Sequence, residues 1–203
     1  MKMVAIVLLL WFAILIQNIV EVTSECNIYL SNNSFSVVVY GDGIHYDDLA
    51  LQTALNICNN GGRIVFPVGR YLLSPFNLTS NIELYLEENA ILLATTDHTK
   101  WPIVQNLPGY PAEPSGRVGA FISGTNITNV KIIGPGTIDG QGSAWWNKDG
   151  LIYGRPRLIE PMFCKSFTMV NTTILNPPFW AIHYSKISFI LHRLPLLIVS
   201  EFI

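Results

Sequence analysis

The chain is short of charge. Its 203 residues carry 12 Lys+Arg and 14 Asp+Glu, a formal net charge of −2. That balance leaves no basic footprint for nucleic acid. Cysteine is scarce too: Cys26, Cys58 and Cys164 are the full set, at a spacing that fits no zinc pattern. An odd number leaves one thiol unpaired, or paired with a cysteine outside these residues. No cofactor motif and no metal site is signalled, and no cluster of acidic ligands suits calcium. Tight hairpin turns are also nearly missing. The one Asn-Gly pair, Asn60-Gly61, follows a helix rather than joining strands, which argues against a β-sandwich or jelly roll closed by such turns. The longest apolar run, Val4–Ile16, is short of the ~20 residues that cross a bilayer.

That run has another reading. Lys2 precedes it, and a more polar stretch, Gln17–Ser24, follows, with Val22 and Ser24 at the −3 and −1 places before a cut. This is the pattern of a secretory signal spanning residues 1–24. Four Asn-x-Ser/Thr sequons downstream, at Asn32, Asn77, Asn126 and Asn171, fit export and are candidate glycosylation sites. The expected address is extracellular, with no stable membrane span after cleavage.

What is present is β-rich. One amphipathic helix is predicted near Asp48–Cys58, with Leu51, Ala54, Leu55 and Cys58 on one face and Asp47 as its cap. Strands are predicted at Ser36–Tyr40, stopped by a Gly41-Asp42-Gly43 turn, then at Arg63–Phe66, Arg70–Leu73, Asn81–Leu86, Ala90–Ala94, Leu158-Ile159, Phe167–Val170 and Thr173–Leu175. Between Ile127 and Gly142 the β-branched residues crowd around Gly134-Pro135-Gly136, which no helix would accept. Two polar, proline-bearing excursions, 97–119 and 143–157, interrupt the pattern. Asn77–Ile82, Asn126–Val130 and, more loosely, Lys165–Val170 repeat one theme: a polar turn leading into an alternating strand. Many short strands, asparagine-rich turns and no later helix suggest a parallel β-solenoid.

The order of several short motifs resembles plant polygalacturonase-like proteins of glycoside hydrolase family 28. These are Gly61-Gly62-Arg63-Ile64-Val65-Phe66-Pro67 with Gly69-Arg70-Tyr71-Leu72, then Leu86–Leu92, Trp101-Pro102, Thr137–Gly142 with Trp145-Trp146, Arg155-Pro156, and Asn176-Pro177-Pro178-Phe179-Trp180 with Ile182-His183. The resemblance covers about Val39–His183. It implies an all-β, right-handed parallel β-helix of the pectin-lyase-like kind, truncated, with one short N-terminal capping helix. It also implies pectic polysaccharide (polygalacturonate) as partner, in the plant cell wall. The expected division is a signal at 1–24, the N-terminal part of a β-helix hydrolase domain at 25–186, and an apolar tail at 187–203 that does not align with the family. The expected assembly is a monomer.

Family 28 enzymes hydrolyse α-1,4-galacturonosyl links with inversion. Inversion uses a protonated carboxylic acid and a carboxylate ~6.5–9.5 Å apart. The resemblance places those groups in Asn-Thr-Asp and Gly-Asp-Asp motifs, completed by Gly-His-Gly and Arg-Ile-Lys, all beyond the Phe-Trp-x-Ile-His segment. None of the four occurs in these 203 residues, so no residue is assigned as catalytic and the chain alone is expected to be inactive. The alternative is a non-catalytic pectin- or wall-binding β-helix protein. Substrate-binding candidates are His183, Trp180 and Arg155. For each there is a plainer structural role: a backbone-bonded histidine at a rung edge, solenoid packing, and surface anchoring. Trp145 and Trp146 either line a groove or pack their excursion onto the barrel. Arg157 is open to the same readings as Arg155. Asp139 is read as an Asx-turn residue, Asp47 and Asp48 as belonging to the helix start, and Glu160 as a carboxylate facing a cleft with no evident partner.

Overall fold

The computed structural model describes residues 26–31, 37–105, 116–146, 154–188 and 190–193. Short strands succeed one another so that each lies parallel to the one a full coil earlier. The first sheet contains β1 (Cys26–Tyr29), β3 (Gly62–Phe66), β6 (Ile82–Leu86), β11 (Val130–Ile133), β14 (Phe167–Val170) and β16 (Ile190–Arg193), in that spatial order. The second runs β2 (Asp42–Tyr46), β4 (Gly69–Leu73), β7 (Ala90–Ala94), β12 (Thr137–Asp139) and β15 (Thr173–Leu175). The third stacks β5 (Phe76–Asn77), β10 (Ile122–Thr125) and β13 (Ile159–Met162). Single bridges from Ile159 to Ile182 and from Met162 to Ser185 continue it by one coil. The architecture is a right-handed parallel β-helix. Among the described residues the one antiparallel pair is β8 (Ile103–Val104) with β9 (Arg117–Val118), which lies in the first excursion.

Register explains the core. In the first sheet Ile64, Leu84, Ile132 and Met169 are aligned from coil to coil, all pointing inward and fully buried. Tyr71, Leu92, Ile138 and Ile174 do the same in the second sheet. Phe76, Ile122 and Ile159 do so in the third. The repeated sequence theme has a direct counterpart: Ile82, Val130 and Phe167, which follow its polar turns, are stacked in one column. The turn asparagines Asn81 and Asn129 take φ of 59° and 53°, a region asparagine enters more readily than other side chains. Their side chains meet one above the other at 3.4 Å.

Helix α1 (Asp48–Ile57) packs its Leu51, Ala54 and Leu55 against the first coil. A disulfide joins Cys58, just past its end, to Cys26 of β1, and Cys164 is a buried free thiol. Asp47 occupies the N-cap position without capping. Its carboxylate accepts instead from the backbone N–H groups of Tyr40 (2.7 Å) and Gly41 (3.1 Å). This also corrects the strand expected at Ser36–Tyr40. The backbone of Tyr40 and Gly41 is held by Asp47, and the strand begins at Asp42, on the expected turn. Asp48 reaches sideways to Ser74, accepting from its backbone N–H and its hydroxyl, each at 2.7 Å. The second excursion turns inward: Trp145 is buried, stacked on His98 at 3.9 Å and edge-on to Trp101. Trp146 donates its indole N–H to the Pro177 carbonyl at 3.2 Å. Both tryptophans therefore pack the excursion onto the barrel.

Two substitutions test this account. Gly134 has φ of +110°, and a Cβ there would lie 2.1 Å from the Leu86 carbonyl oxygen of the coil below. Gly134→Ala is expected to cost at least 1–3 kcal/mol, roughly the strain of a disfavoured backbone, read by urea unfolding. Replacing Cys26 and Cys58 together by serine is expected to lower stability by about 3–4 kcal/mol, through the freed loop of the unfolded chain. The same titration under oxidising conditions measures it.

Candidate functional site

The third sheet presents its outer face to a groove. Strand alternation turns Phe76, Ile122 and Ile159 inward, so Asn77, Ser123 and Glu160 point outward in one aligned column. His183, next to the bridged Ile182, continues that column by one coil. The groove has a volume of about 320 Å³, with Asn77, Ser123 and Glu160 on its floor and Pro102, Val104 and Arg117 of the first excursion on its wall. Ser123 donates its hydroxyl to Asn77 Oδ1 at 2.7 Å.

Glu160 is the centre of the site. It is 4% exposed, in a strand whose neighbours are all buried. A carboxylate there must be paired. Arg117 Nη2 donates to Oε2 at 2.7 Å, His183 Nδ1 lies 2.9 Å from Oε1, and Arg157 Nε lies 3.8 Å from the same oxygen. Arg117 and His183 are buried with it. The expectation that Glu160 lacks a partner is therefore corrected. The plainer reading of His183, bonded to backbone alone, is also incomplete. Its backbone N–H does donate to the Ile159 carbonyl at 2.8 Å, but its ring is held by the carboxylate.

Beside this buried cluster stands an exposed aromatic platform. Trp180 is 46% and Phe179 42% exposed, and their rings stack at 5.5 Å. Arg157 lies over the Trp180 ring at 5.9 Å and Arg155 over the Phe179 ring at 5.3 Å. Trp180 meets the edge of His183 at 4.7 Å. The fold thus gathers all three binding candidates, His183, Trp180 and Arg155, into one cluster joined to Glu160 through His183. Packing within the solenoid does not describe Trp180, whose ring faces outward.

Arg117 was not identified from the sequence. It lies 43 positions from Glu160, in an excursion with no periodicity. The usable signal was Glu160 itself, a lone acid within the apolar strand Ile159–Met162. Asp139 is the Asx-turn residue expected: Oδ1 accepts from the Gln141 backbone N–H at 2.9 Å and from Asn176 Nδ2 at 3.1 Å. Of the sequons, Asn77, Asn126 and Asn171 are exposed. Asn32, the 1–24 signal and most of the 187–203 tail lie outside the described residues. The described part of that tail includes β16, paired in parallel with β14. Among the described residues, no group of three or more potential metal ligands forms, and no helix is long and apolar enough to cross a membrane.

Comparison with known proteins bears on the family and the fold. The family model for glycosyl hydrolases family 28 matches residues 62–192. A probable polygalacturonase of Vitis vinifera is 39% identical over 160 residues, covering 72% of this chain and 33% of the relative. An endo-polygalacturonase of Pectobacterium carotovorum is 30% identical over 152 residues, covering 66% of this chain and 38% of the relative. The chain therefore spans roughly a third of the length of these relatives. Among solved structures, a family 28 exopolygalacturonase of Yersinia enterocolitica superposes with a TM-score of 0.71 at 20% identity, over 85% of this chain and 39% of that one.

The cluster's energetics are testable. Glu160→Gln leaves the Arg117 guanidinium buried without its counter-charge and is expected to cost about 3–5 kcal/mol. The double variant Arg117→Met, Glu160→Met removes both charges and is expected to lose much less. Urea unfolding of the pair distinguishes an uncompensated charge from lost packing.

Proposed function

The chain belongs to glycosyl hydrolases family 28, and from that premise we propose that it is polygalacturonase-like, its third-sheet groove binding polygalacturonate in the plant cell wall. The observation that carries this reading is the Phe179–Trp180 platform with Arg155 and Arg157 above it. A sugar ring can lie on an aromatic face, and galacturonate adds a carboxylate that a guanidinium holds well. The reaction served by such a scaffold is inverting hydrolysis of α-1,4-galacturonosyl links.

These residues alone are proposed to bind without cleaving. Inversion needs two carboxyl groups facing each other across the scissile bond at ~6.5–9.5 Å. Among the described residues, Glu160 is the one carboxylate lining the groove, and Arg117 and His183 already engage both its oxygens. Glu160 with His183 is read as the support for the adjoining coil, setting the floor on which a bound chain rests. Export through a 1–24 signal and glycosylation at Asn32, Asn126 and Asn171 belong to the same proposal, while Asn77, on the groove floor, is read as carrying no glycan, since one there would fill the groove. The alternative, a non-catalytic pectin- or wall-binding β-helix protein, rests on the same platform and makes the same binding prediction.

The test uses polygalacturonate with the full chain. Saturable binding is expected, weakened roughly five- to tenfold by Trp180→Ala, with no release of reducing ends. Hydrolysis by this chain would refute the non-cleaving reading. Binding that is indifferent to Trp180→Ala would refute the platform.

A further inference from the structure

A second groove, on a different face, carries chemistry suited to the same class of polymer. The first sheet also has an outward column. Register aligns Asn27, Arg63, Glu83, Lys131 and Thr168 from coil to coil. At the end of the sheet where its strands begin, a groove of about 650 Å³ opens between this column and the turn that holds Asn81 and Asn129, with Asn60 at its margin. It is about twice the volume of the third-sheet groove.

The charges in it do not cancel. Arg63 and Lys131 flank the single acid Glu83. Arg63 faces Oε1 through Nε, and Lys131 Nζ lies 3.7 Å from Oε2. Glu83 is largely covered, while the Arg63 and Lys131 side chains remain 48% and 45% exposed. One net positive charge is left over. It is presented by the guanidinium edge of Arg63, whose Nε side is taken by Glu83 and whose face lies over Tyr85 at 5.4 Å. The backbones of the two cations stand two coils apart, about 9–10 Å at the usual strand spacing, and both side chains lean on the one carboxylate between them. The neighbouring asparagine side chains supply amide donors and carbonyl acceptors at fixed height, because the αL turns set them coil by coil. Carboxylate-binding cations beside stacked amides suit a uronate, whose ring bears one carboxylate and several hydroxyls.

The geometry points to a second binding site for an acidic polysaccharide segment on the first sheet, anchored by Arg63 and Lys131 and contacted by Asn81 and Asn129. It rests on the pectin reading only for the identity of the polymer. A chain seated there lies along the solenoid axis and leaves the third-sheet groove free, so one molecule can hold the polymer at two faces.

The full chain, isotope-labelled, is titrated at low salt with a galacturonate trimer while the Asn81 and Asn129 side-chain amides, the Arg63 Nε–H and the Trp180 indole N–H are followed. The first-sheet signals are expected to move together and saturate. Arg63→Gln and, separately, Lys131→Gln are expected to weaken that movement by roughly tenfold, the loss of one charge-assisted contact, with the melting midpoint unchanged in the lysine variant. Lys131→Gln, which gives up only a long contact, guards against a folding defect in the arginine variant. Movement confined to Trp180 overturns the second site and leaves the proposed function standing. Movement at neither face overturns both. Equal movement with the fully methyl-esterified trimer, or with inorganic phosphate alone, overturns the uronate assignment.

Discussion

Inward apolar side chains stacked in register hold this solenoid together, because a coil has no other surface on which to bury them. Each of the three sheets meets that requirement with its own column, and every column must advance by one strand spacing per coil. The constraint reaches the turns. Where the chain rounds a corner next to its neighbour, only residues that accept unusual backbone angles will serve. Asn81 and Asn129 do so at one corner, and Gly134 at another, with no space for a side chain against Leu86.

The outer faces inherit the same order. Since inward positions align, the alternate outward positions align too, and a polar residue on one coil meets the residue one coil away. This is how Glu160 comes to lie against His183 although 23 residues separate them. It is also how Arg63, Glu83 and Lys131 form a charge ladder. The two long excursions leave the barrel at the same corner, between the second and third sheets, and the first of them walls the third-sheet groove. Arg117 enters the site from one and Arg157 from the other. Burial then sets the chemistry. Glu160, closed off from water, is compensated by the guanidinium of Arg117 and the ring of His183, which makes it a structural acid rather than a free one.

The solenoid was legible because its repeat is local. A polar turn followed by an alternating strand recurs at Asn77–Ile82, Asn126–Val130 and Lys165–Val170, and each copy reports its own corner and face. The helix was equally plain from Leu51, Ala54, Leu55 and Cys58. Features that depend on distant partners were not legible. Val37–Tyr40 has the composition of a strand, yet the Asp47 carboxylate captures the backbone of Tyr40 and Gly41 from a later segment. Trp180 sits among Pro178, Phe179 and Ile182 in sequence and reads as packing, while the corner it occupies turns it outward. The grouping of His183, Trp180 and Arg155 required the coil-to-coil register. The motif order resembling family 28 supplied the handedness, which periodicity alone leaves open.

The central claim is that register, rather than any single motif, builds a groove on the third sheet able to receive galacturonate. A crystal structure of the full chain with a bound galacturonate oligomer tests it most directly. The account predicts a sugar ring against the exposed part of Trp180, its carboxylate turned toward Arg155 or Arg157, with the Glu160–His183 contact intact beside it. An oligomer found only away from the third sheet, or Glu160 released from Arg117 and His183 to contact the sugar itself, would contradict it.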